Sequence, residues 1–291
     1  MDKYNSVSVV IPAKNEAASI GALLDSLCAQ YPDYEIIVVD DGSTDQTASV
    51  CKNFPIKLIS HPYSVGNGGA IKSGTRAAQG DILVFMDGDG QHDPSDIRRL
   101  VDSIQSGHDM AIGARSYASQ ASAGRHLANA LYNKIASLMV GHSIPDLTSG
   151  FRAVRSDLFR EFLSLLPNGF SYPTTITMAF FRAGYRVTYI PVETHTRKGK
   201  SHISPAKDGL RFLLIIFRIG TLYSPLKLFI PISIFFFILG LGYYGYTYAT
   251  MHRFTNMSAV LFITSLLILL IGLVSEQITT LVYLLRDKEG H

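Results

Sequence analysis

Over roughly residues 1–200 of the 291-residue chain, short apolar runs rich in β-branched residues alternate with segments of helical periodicity. Nearly continuous apolar runs of this length are typical of strands that are covered on both faces. The predicted strands are Val7–Ile11, Glu35–Asp40, Ile56–Ser60, Asp81–Asp87 and Asp109–Ala114. The pattern therefore predicts an α/β domain in which helices flank a mainly parallel sheet.

Three polar clusters follow the first, second and fourth predicted strands: PAKNE, DDGSTD and DGDGQHD. In an open α/β sheet, ligands bind beyond the carboxyl ends of the strands. We therefore expect the three clusters to meet at one edge of the sheet and to form a binding site there.

The last quarter of the chain holds two apolar runs without a charge, 229–249 and 254–275, which are 21 and 22 residues long. Because about 20 residues cross the hydrocarbon layer, the pattern predicts two transmembrane helices joined by the short connection Thr250–Arg253. Cations before the first run, with Arg286 and Lys288 after the second, place both flanks in the cytoplasm. We predict a multi-pass protein of the inner or plasma membrane, with Glu276 facing another subunit or the headgroups.

A basic segment precedes these runs, with seven Lys or Arg between Arg197 and Lys227 against the single acid Asp208. Its apolar residues recur at helical spacing, so we predict an amphipathic helix at the membrane interface over 203–225. Basic residues here attract anionic headgroups, whereas nucleic-acid binding would interleave them with stacking aromatic residues, so no nucleic-acid partner is expected. The predicted organisation is a cytoplasmic catalytic domain (1–202), this helix, and a hairpin with a short cytoplasmic tail (226–291).

Composition adds little to this picture. The chain is 47% hydrophobic with a net charge of +3, and its two cysteines, Cys28 and Cys51, lack metal-ligand spacing. We interpret both as reduced packing residues, which fits a cytosolic domain. The amino terminus carries an acid and no long apolar stretch, so it does not resemble a cleaved signal peptide.

The segment FMDGDGQHDP places Asp87, Asp89 and Gln91 at alternate positions directly after a predicted strand. Carboxylate and amide oxygens suit Mg²⁺ or Mn²⁺, and an ion of this kind neutralises a diphosphate leaving group. The alternative interpretation is a solvated Asp-Gly turn.

Four motifs in order, VVIPAKNE, VVDDGSTDQT, GNGGAIKSGTRAAQGDILVFMDGDGQHDP and DLTSGFRAVRSD, resemble the family-2 glycosyltransferases of GT-A (Rossmann-like) fold. The resemblance is strongest to the dolichyl-phosphate mannose synthase and polyprenyl-phosphate glycosyltransferase branch, and it runs from about Val7 to Ser201. It implies inverting, metal-dependent transfer of a monosaccharide from a UDP-linked or GDP-linked donor to undecaprenyl or dolichyl phosphate.

The resemblance also implies a donor site. Asp89 and Gln91 would complete the metal shell, while Asp87 would serve the metal and the ribose side. Asp41 could accept a hydrogen bond from a base N–H, and Glu16 would also be favoured simply as an acid in the first turn of a helix. The remaining donor-side residues implied are Pro12, Ala13, Asp40, Lys72, Lys198 and Lys200. Lys72 has the alternative of a plain surface lysine.

The acceptor side is predicted from an absence in the sequence. The chain contains no Glu-Asp dipeptide, the pair that supplies a base in many relatives that glycosylate hydroxyl groups, and it contains no tryptophan. A phosphate acceptor is already anionic and needs positioning more than deprotonation. By resemblance, Asp146 would orient sugar hydroxyls or act as a modest base, although it also suits a turn cap. The residues implied around the lipid phosphate are Arg115, Arg125, Arg197 and Ser201.

Other functions stay open at this point. The enzyme could glycosylate a hydroxyl lipid such as diacylglycerol, or the chain could be a non-catalytic membrane scaffold that binds nucleotide sugars. A P-loop is disfavoured because Ile71 precedes Lys72, and a nucleotidyltransferase because PAKNEAAS supplies no glycine-rich, arginine-containing loop. Small residues in the apolar runs permit a homo-oligomer.

Overall fold

In the computed structural model of this protein, the described residues are 6–115, 123–169, 171–194, 217, 220–221 and 223–289, and the side chains of 123–131 and 282–289 are outside the description. The chain forms two compact units, Met1–Ser137 with His142–Ile203, and Leu138–Gly141 with Ser204–His291. Most of the predicted interfacial helix, 203–225, lies outside the described residues.

The first unit is built on one mostly parallel sheet, as the sequence predicted. Within the described residues its strands are β1 (Val7–Ala13), β2 (Glu35–Asp40), β3 (Lys57–Ser60), β4 (Ile82–Phe85), β5 (Met110–Arg115), β6 (Arg152–Arg155) and β7 (Val187–Val192). Their order is β3-β2-β1-β4-β6-β5-β7. Only β6 runs antiparallel to its neighbours β4 and β5, and the other pairs are parallel.

Helices connect these strands and cover the sheet. They are α1 (Ile20–Gln30), α2 (Thr47–Cys51), α3 (Asn67–Ala77), α4 (Asp96–Gln105), α5 (Ala123–Val140), α6 (Ser156–Glu161) and α7 (Tyr172–Arg182). In α4 the buried side chains are Ile97, Leu100, Val101 and Ile104, the spacing of one helix face. That face and the inward residues of β1, β2 and β4 share one hydrophobic core.

The sequence predicted β1 to β5 within two residues at each end but missed β6 and β7. β6 is the tetrapeptide RAVR, whose two arginines do not fit a buried apolar run. β7 contains Pro191 and is only half-buried over most of its length. Tertiary pairing rather than local pattern decides both strands.

The second unit contains two helices that are long and apolar enough to cross a membrane, α8 (Pro225–Met251) and α9 (Asn256–Glu289). Ser233 and Ser265 exchange hydrogen bonds, each hydroxyl donating to the other residue's carbonyl at 2.9 Å. Gly272 lies against Phe229, and Gly240 lies against Leu261. These pairings run in opposite directions along the two helices, so α8 and α9 form an antiparallel hairpin.

Glu276 has a partner in its own hairpin that the sequence did not predict. Its Oε2 accepts a hydrogen bond from the N–H of Leu226 at 3.3 Å, one residue after α8 begins at Pro225. The first N–H groups of a helix lack intrahelical acceptors, and a carboxylate is favoured beside them. Glu276 therefore caps the start of α8.

Candidate active site

The carboxyl ends of β1, β2 and β4 meet at one edge of the sheet, because β1 lies between the other two strands. Beyond them lies a cleft of about 410 Å³. Its lining residues are Pro12, Ala13, Lys14, Glu16, Asp41, Ser64, Gly66, Asn67, Ala70, Asp87, Gly88 and Asp89. The structure thus brings together six of the site residues named from the sequence, and it adds Lys14, Ser64 and the start of α3.

The loop after β1 is fastened to the loop after β2 by Asn15, a residue that the sequence analysis missed. Asn15 has a positive φ of 56°, a conformation in which asparagine is enriched. Its side-chain oxygen accepts a hydrogen bond from the N–H of Thr44 at 2.8 Å, and its own N–H donates to Ser43 Oγ at 2.9 Å. These contacts fix the wall of the cleft that carries Pro12 to Glu16.

A second tie joins this wall to the aspartate loop, the segment DGDGQHD (87–93) after β4. Ser19 Oγ lies within hydrogen-bond distance of Glu16 Oε2, at 3.1 Å, and of the carbonyl oxygen of Gly88, at 3.0 Å. Asp45 accepts the N–H of Thr47 at 3.0 Å and so caps the start of α2. The loops after β1, β2 and β4 are therefore one connected framework.

Asp41 is buried and accepts four hydrogen bonds from the segment that leads into α3. Oδ1 lies 2.8 Å from both His61 Nδ1 and the N–H of Val65, while Oδ2 lies 2.6 Å from Ser64 Oγ and 2.8 Å from the N–H of Gly66. Burial acts to raise the pKa of Asp41, but the hydrogen bonds from Ser64 and His61 and from the two N–H groups outweigh it and lower the pKa to about 2. Asp41 therefore holds the opposite wall of the cleft in place.

This depressed pKa predicts a pH dependence of stability. The contribution of Asp41 is fully present above its unfolded pKa of about 3.9 and is lost as the pH falls towards 2, and its size is about 2–3 kcal/mol. We expect Asp41→Asn to melt at a lower temperature than the wild type at pH 7, with the difference shrinking between pH 5 and pH 2. Thermal melting of both proteins in detergent across this range tests it, and a difference that stays constant with pH would contradict the assignment.

Asp40 and Lys72 are not among the residues that line the cleft. The Asp40 carboxylate accepts the N–H of Ser43 at 3.0 Å, so it shapes the turn after β2. Lys72 Nζ donates to Asn168 Oδ1 at 2.8 Å, and the carbonyl of Asn168 accepts the N–H of Gly69 at 2.8 Å. In the described residues Lys72 thus joins the segment around Asn168 to α3, and its role towards phosphate stays a prediction.

Asp87 and Asp89, two of the three aspartates in the segment FMDGDGQHDP, both line the cleft. Asp89 Oδ1 accepts the N–H of Gln91 at 3.1 Å, which closes a tight turn. The Asp87 carboxylate lies against Gly150, where an added Cβ would be 3.0 Å from Oδ2. A glycine at position 150 therefore lets the loop before β6 approach the Asp87 carboxylate.

The donors in the cleft fit a hard divalent cation. Mg²⁺ and Mn²⁺ prefer oxygen ligands, and Mg²⁺ in particular is commonly held by one or two carboxylates together with substrate phosphates and water. Asp87 and Asp89 supply two carboxylates on one short loop, and Gln91 lies next to them in the chain. Within the described residues no group of three or more His, Cys, Asp or Glu could hold a metal ion. Two carboxylates are fewer ligands than Mg²⁺ takes, so substrate phosphates and water would complete the shell of an ion bound here.

Arg115 and Asp146, predicted for separate roles, form a bidentate ion pair. Arg115 Nε and Nη2 lie 2.8 and 3.0 Å from the two carboxylate oxygens of Asp146, and Nη2 also donates to Thr148 Oγ1 at 2.6 Å. The Asp146 side chain is 6% exposed and that of Arg115 is 31% exposed. Burial acts to raise the pKa of Asp146, but the hydrogen bond and charge of Arg115 outweigh it and lower the pKa. Asp146 is thus ionised at neutral pH and engaged with Arg115.

His92 is buried beside this pair. Its ring stacks on Phe151 at 4.7 Å between centroids, and burial lowers its pKa to about 4, so the imidazole is neutral near pH 7. Phe151 is itself fully buried. The stacked rings of His92 and Phe151 therefore join the aspartate loop to the segment before β6.

The structure does not describe the side chains of the remaining residues that were predicted for the site. Arg197, Lys198, Lys200 and Ser201 lie outside the described residues, and Arg125 lies in α5 at a position whose side chain is not described. Their predicted contacts with the diphosphate and the lipid phosphate stay predictions.

Comparison with known proteins adds two family matches. The family model for glycosyl transferase family 2 matches residues 8–163, and the family model for the GtrB C-terminal hairpin matches residues 224–281. The first match contains β1 to β6 with the whole cleft, and the second covers α8 and most of α9.

Individual proteins extend this finding. The chain is 35% identical to a dolichol-phosphate mannosyltransferase of Pyrococcus furiosus over 56% of its length, and it spans half the length of that relative. It is 29% identical to an undecaprenyl-phosphate mannosyltransferase of Micrococcus luteus over 68% of its length and 87% of the relative. Glucosyl-3-phosphoglycerate synthase of Mycobacterium tuberculosis, solved with Mn²⁺, UDP and glucosyl-3-phosphoglycerate, aligns with a TM-score of 0.58 at 23% identity, over 74% of this chain and 78% of that one. At this identity the likeness shows the fold alone, which is the GT-A fold.

Proposed function

This chain belongs to glycosyl transferase family 2 and is a glycosyltransferase, and on that premise we propose that it transfers a monosaccharide from a UDP-linked or GDP-linked donor to a polyprenyl phosphate. The observation that carries the proposal is that Asp87 and Asp89 line the same cleft as Pro12, Ala13 and Glu16. The relatives named for transfer to dolichol phosphate and undecaprenyl phosphate support the choice of acceptor.

The donor occupies the cleft with its nucleoside against the β1 and β2 loops and its diphosphate near Asp87 and Asp89. These two carboxylates, with Gln91, would hold Mg²⁺ or Mn²⁺, which when bound would neutralise the charge that develops on the departing nucleoside diphosphate. The Mn²⁺ bound to the Mycobacterium tuberculosis synthase supports a divalent ion in this fold. The hydrogen bonds of Asn15, Ser19 and Asp41 hold the two walls of the cleft in place before the donor binds.

Transfer proceeds with inversion. A phosphate oxygen of the acceptor attacks the anomeric carbon, and the bond from that carbon to the diphosphate oxygen breaks on the opposite face. A phosphomonoester is already anionic at neutral pH, so the step needs no strong base. This agrees with Asp146, whose lowered pKa and pairing with Arg115 suit it to positioning. Arg115 in turn holds the acceptor phosphate through Nη1, the guanidinium nitrogen that neither Asp146 nor Thr148 engages.

The hairpin of α8 and α9 anchors the enzyme in the membrane, with both of its flanks in the cytoplasm. The match to a C-terminal hairpin family and the length of the two apolar helices support membrane association. Lys227 near the start of α8, together with Arg286 and Lys288 near the end of α9, supports the orientation. The polyprenyl phosphate is then glycosylated at the cytoplasmic leaflet.

One assay tests the reaction. Purified full-length protein in detergent is given labelled UDP-sugars and GDP-sugars, undecaprenyl or dolichyl phosphate, and Mg²⁺, Mn²⁺ or EDTA. We expect one donor to yield a lipid product that mild acid hydrolyses, with release of nucleoside diphosphate that EDTA abolishes. An acid-stable product from diacylglycerol would indicate a hydroxyl acceptor, and donor binding without nucleotide release would indicate a scaffold. Inside-out vesicles should be active without permeabilisation and right-side-out vesicles should not.

A further inference from the structure

Arg152 on β6 is fully buried, and none of its hydrogen bonds in the described part of the chain goes to a carboxylate. An arginine in the interior is costly unless its charge and donors are satisfied. Nη1 donates to Thr177 Oγ1 at 3.0 Å and to the carbonyl of Pro173 at 3.2 Å, and Nη2 donates to the carbonyl of Ser149. The guanidinium therefore joins the first turns of α7 to the loop before β6.

Every carbonyl of that loop, Ser149 to Phe151, has a donor. The carbonyl of Ser149 accepts from Arg152, that of Gly150 accepts from Tyr172 Oη at 3.2 Å, and that of Phe151 accepts from the N–H of Gly113 at 2.9 Å. Tyr172 opens α7, and Arg152 lies 5.8 Å from the centre of its ring. Arg152 and Tyr172 thus form a clamp on one short loop.

The loop that Arg152 and Tyr172 hold, Ser149 to Phe151, packs against the Asp87 carboxylate through Gly150. Because an added Cβ at Gly150 would lie 3.0 Å from Asp87 Oδ2, a small displacement of the loop would move or release that carboxylate. The ring of Phe151, the next residue, stacks on the ring of His92, which belongs to the same aspartate loop as Asp87. The buried cation is therefore connected to the cleft through backbone and not through direct contact with a ligand.

We propose that Arg152 and Tyr172 are positioning residues that hold the Asp87 carboxylate in the geometry required for metal-dependent binding of the nucleotide. The inference rests on the proposed function, since it requires that Asp87 serve a donor diphosphate and its metal ion. Residues that orient metal ligands from behind typically change metal affinity or activity by about 10-fold to 100-fold when they are replaced.

The measurement is the ratio of the Kd for UDP or GDP without metal to the Kd with Mn²⁺, obtained by calorimetry on the full chain in detergent. Arg152→Lys keeps a cation, but its single ammonium group cannot donate hydrogen bonds both to α7 and to the carbonyl of Ser149. We therefore expect the Kd ratio to fall about 10-fold. Tyr172→Phe keeps the ring and loses only the bond to Gly150, so we expect a fall of roughly 3-fold, within the context-dependent range for one hydrogen bond. In both variants the metal-free Kd should stay at the wild-type value. Tyr185→Phe, which removes a hydroxyl bonded to Glu161 outside the cleft, is the matched control and should leave the ratio unchanged.

The outcomes separate the two proposals. A wild-type protein that binds neither nucleotide more tightly with Mn²⁺ would contradict the proposed function. A wild-type metal effect that persists unchanged in folded Arg152→Lys and Tyr172→Phe would overturn the clamp alone. An equal loss of metal-free affinity would also overturn it, because that pattern indicates general disruption. If Arg152→Lys does not fold, Tyr172→Phe decides the question by itself.

Discussion

Asp89→Ala is expected to abolish sugar transfer while the protein stays folded and bound to the membrane. Asp89 lines the cleft and is half-buried, so its removal leaves no cavity in the core. Its loss removes one of two carboxylates placed to hold the ion that stabilises the leaving diphosphate, and loss of such a charge typically costs about a thousandfold in rate. Nucleoside diphosphate release from the identified donor measures the effect.

Asparagine at the same position separates charge from shape. Asp89→Asn keeps the oxygen that accepts the N–H of Gln91, so the turn is preserved while the charge is lost. We expect nearly the same loss of activity as with alanine. Asp93→Asn is the matched control, because Asp93 belongs to the same loop but accepts the N–H of Ser95 and does not line the cleft. Full activity in Asp89→Asn would refute the metal assignment.

The part of the fold that the sequence predicted is the part decided by local pattern. The runs at β1, β2 and β4 are short, rich in β-branched residues and apolar over most of their length, which favours interior strands over buried helix segments. Once they were parallel neighbours, the polar clusters at their ends had to share one edge. This is why residue order predicted that PAKNE, DDGSTD and DGDGQHD meet at one cleft, whereas the choice of Pro12, Ala13 and Glu16 within them came from the family resemblance.

The features that the sequence did not predict depend on pairing between distant residues. Arg115 and Asp146 are separated by 31 positions and meet only because β6 folds back between β4 and β5. Each was plausible alone, as a phosphate ligand or as a base, and neither pattern indicated the other. Arg152 is a similar case, since an arginine in a short tetrapeptide suggests an exposed position until antiparallel β6 places it in the interior.

The ion pair also changes what each partner can do. A carboxylate with both oxygens engaged by a guanidinium is a weak base, whereas a guanidinium fixed at Nε and Nη2 has its remaining nitrogen, Nη1, held in one orientation. Orientation is what an anionic acceptor needs, because its oxygen is already the nucleophile. The pair therefore favours a phosphate acceptor over a hydroxyl group that requires deprotonation.

Replacement of Arg115 is expected to affect stability and acceptor binding together, and a double variant separates the two effects. Arg115→Met leaves the buried Asp146 charge without its partner, which should destabilise the protein by about 3–5 kcal/mol. It should also raise the KM for polyprenyl phosphate at least about tenfold, since a charged hydrogen bond to phosphate is lost. Thermal melting and initial rates at saturating donor measure the two effects separately.

In Arg115→Met/Asp146→Asn the unpaired charge is gone, while asparagine still accepts the N–H of Thr148, now 3.1 Å from Asp146 Oδ1. We expect this double variant to recover most of the lost melting temperature and none of the acceptor affinity. Recovery of both would mean that Arg115 acts only as a structural partner of Asp146. A normal KM in the single variant would point to the same conclusion, because the phosphate would then be held by other residues.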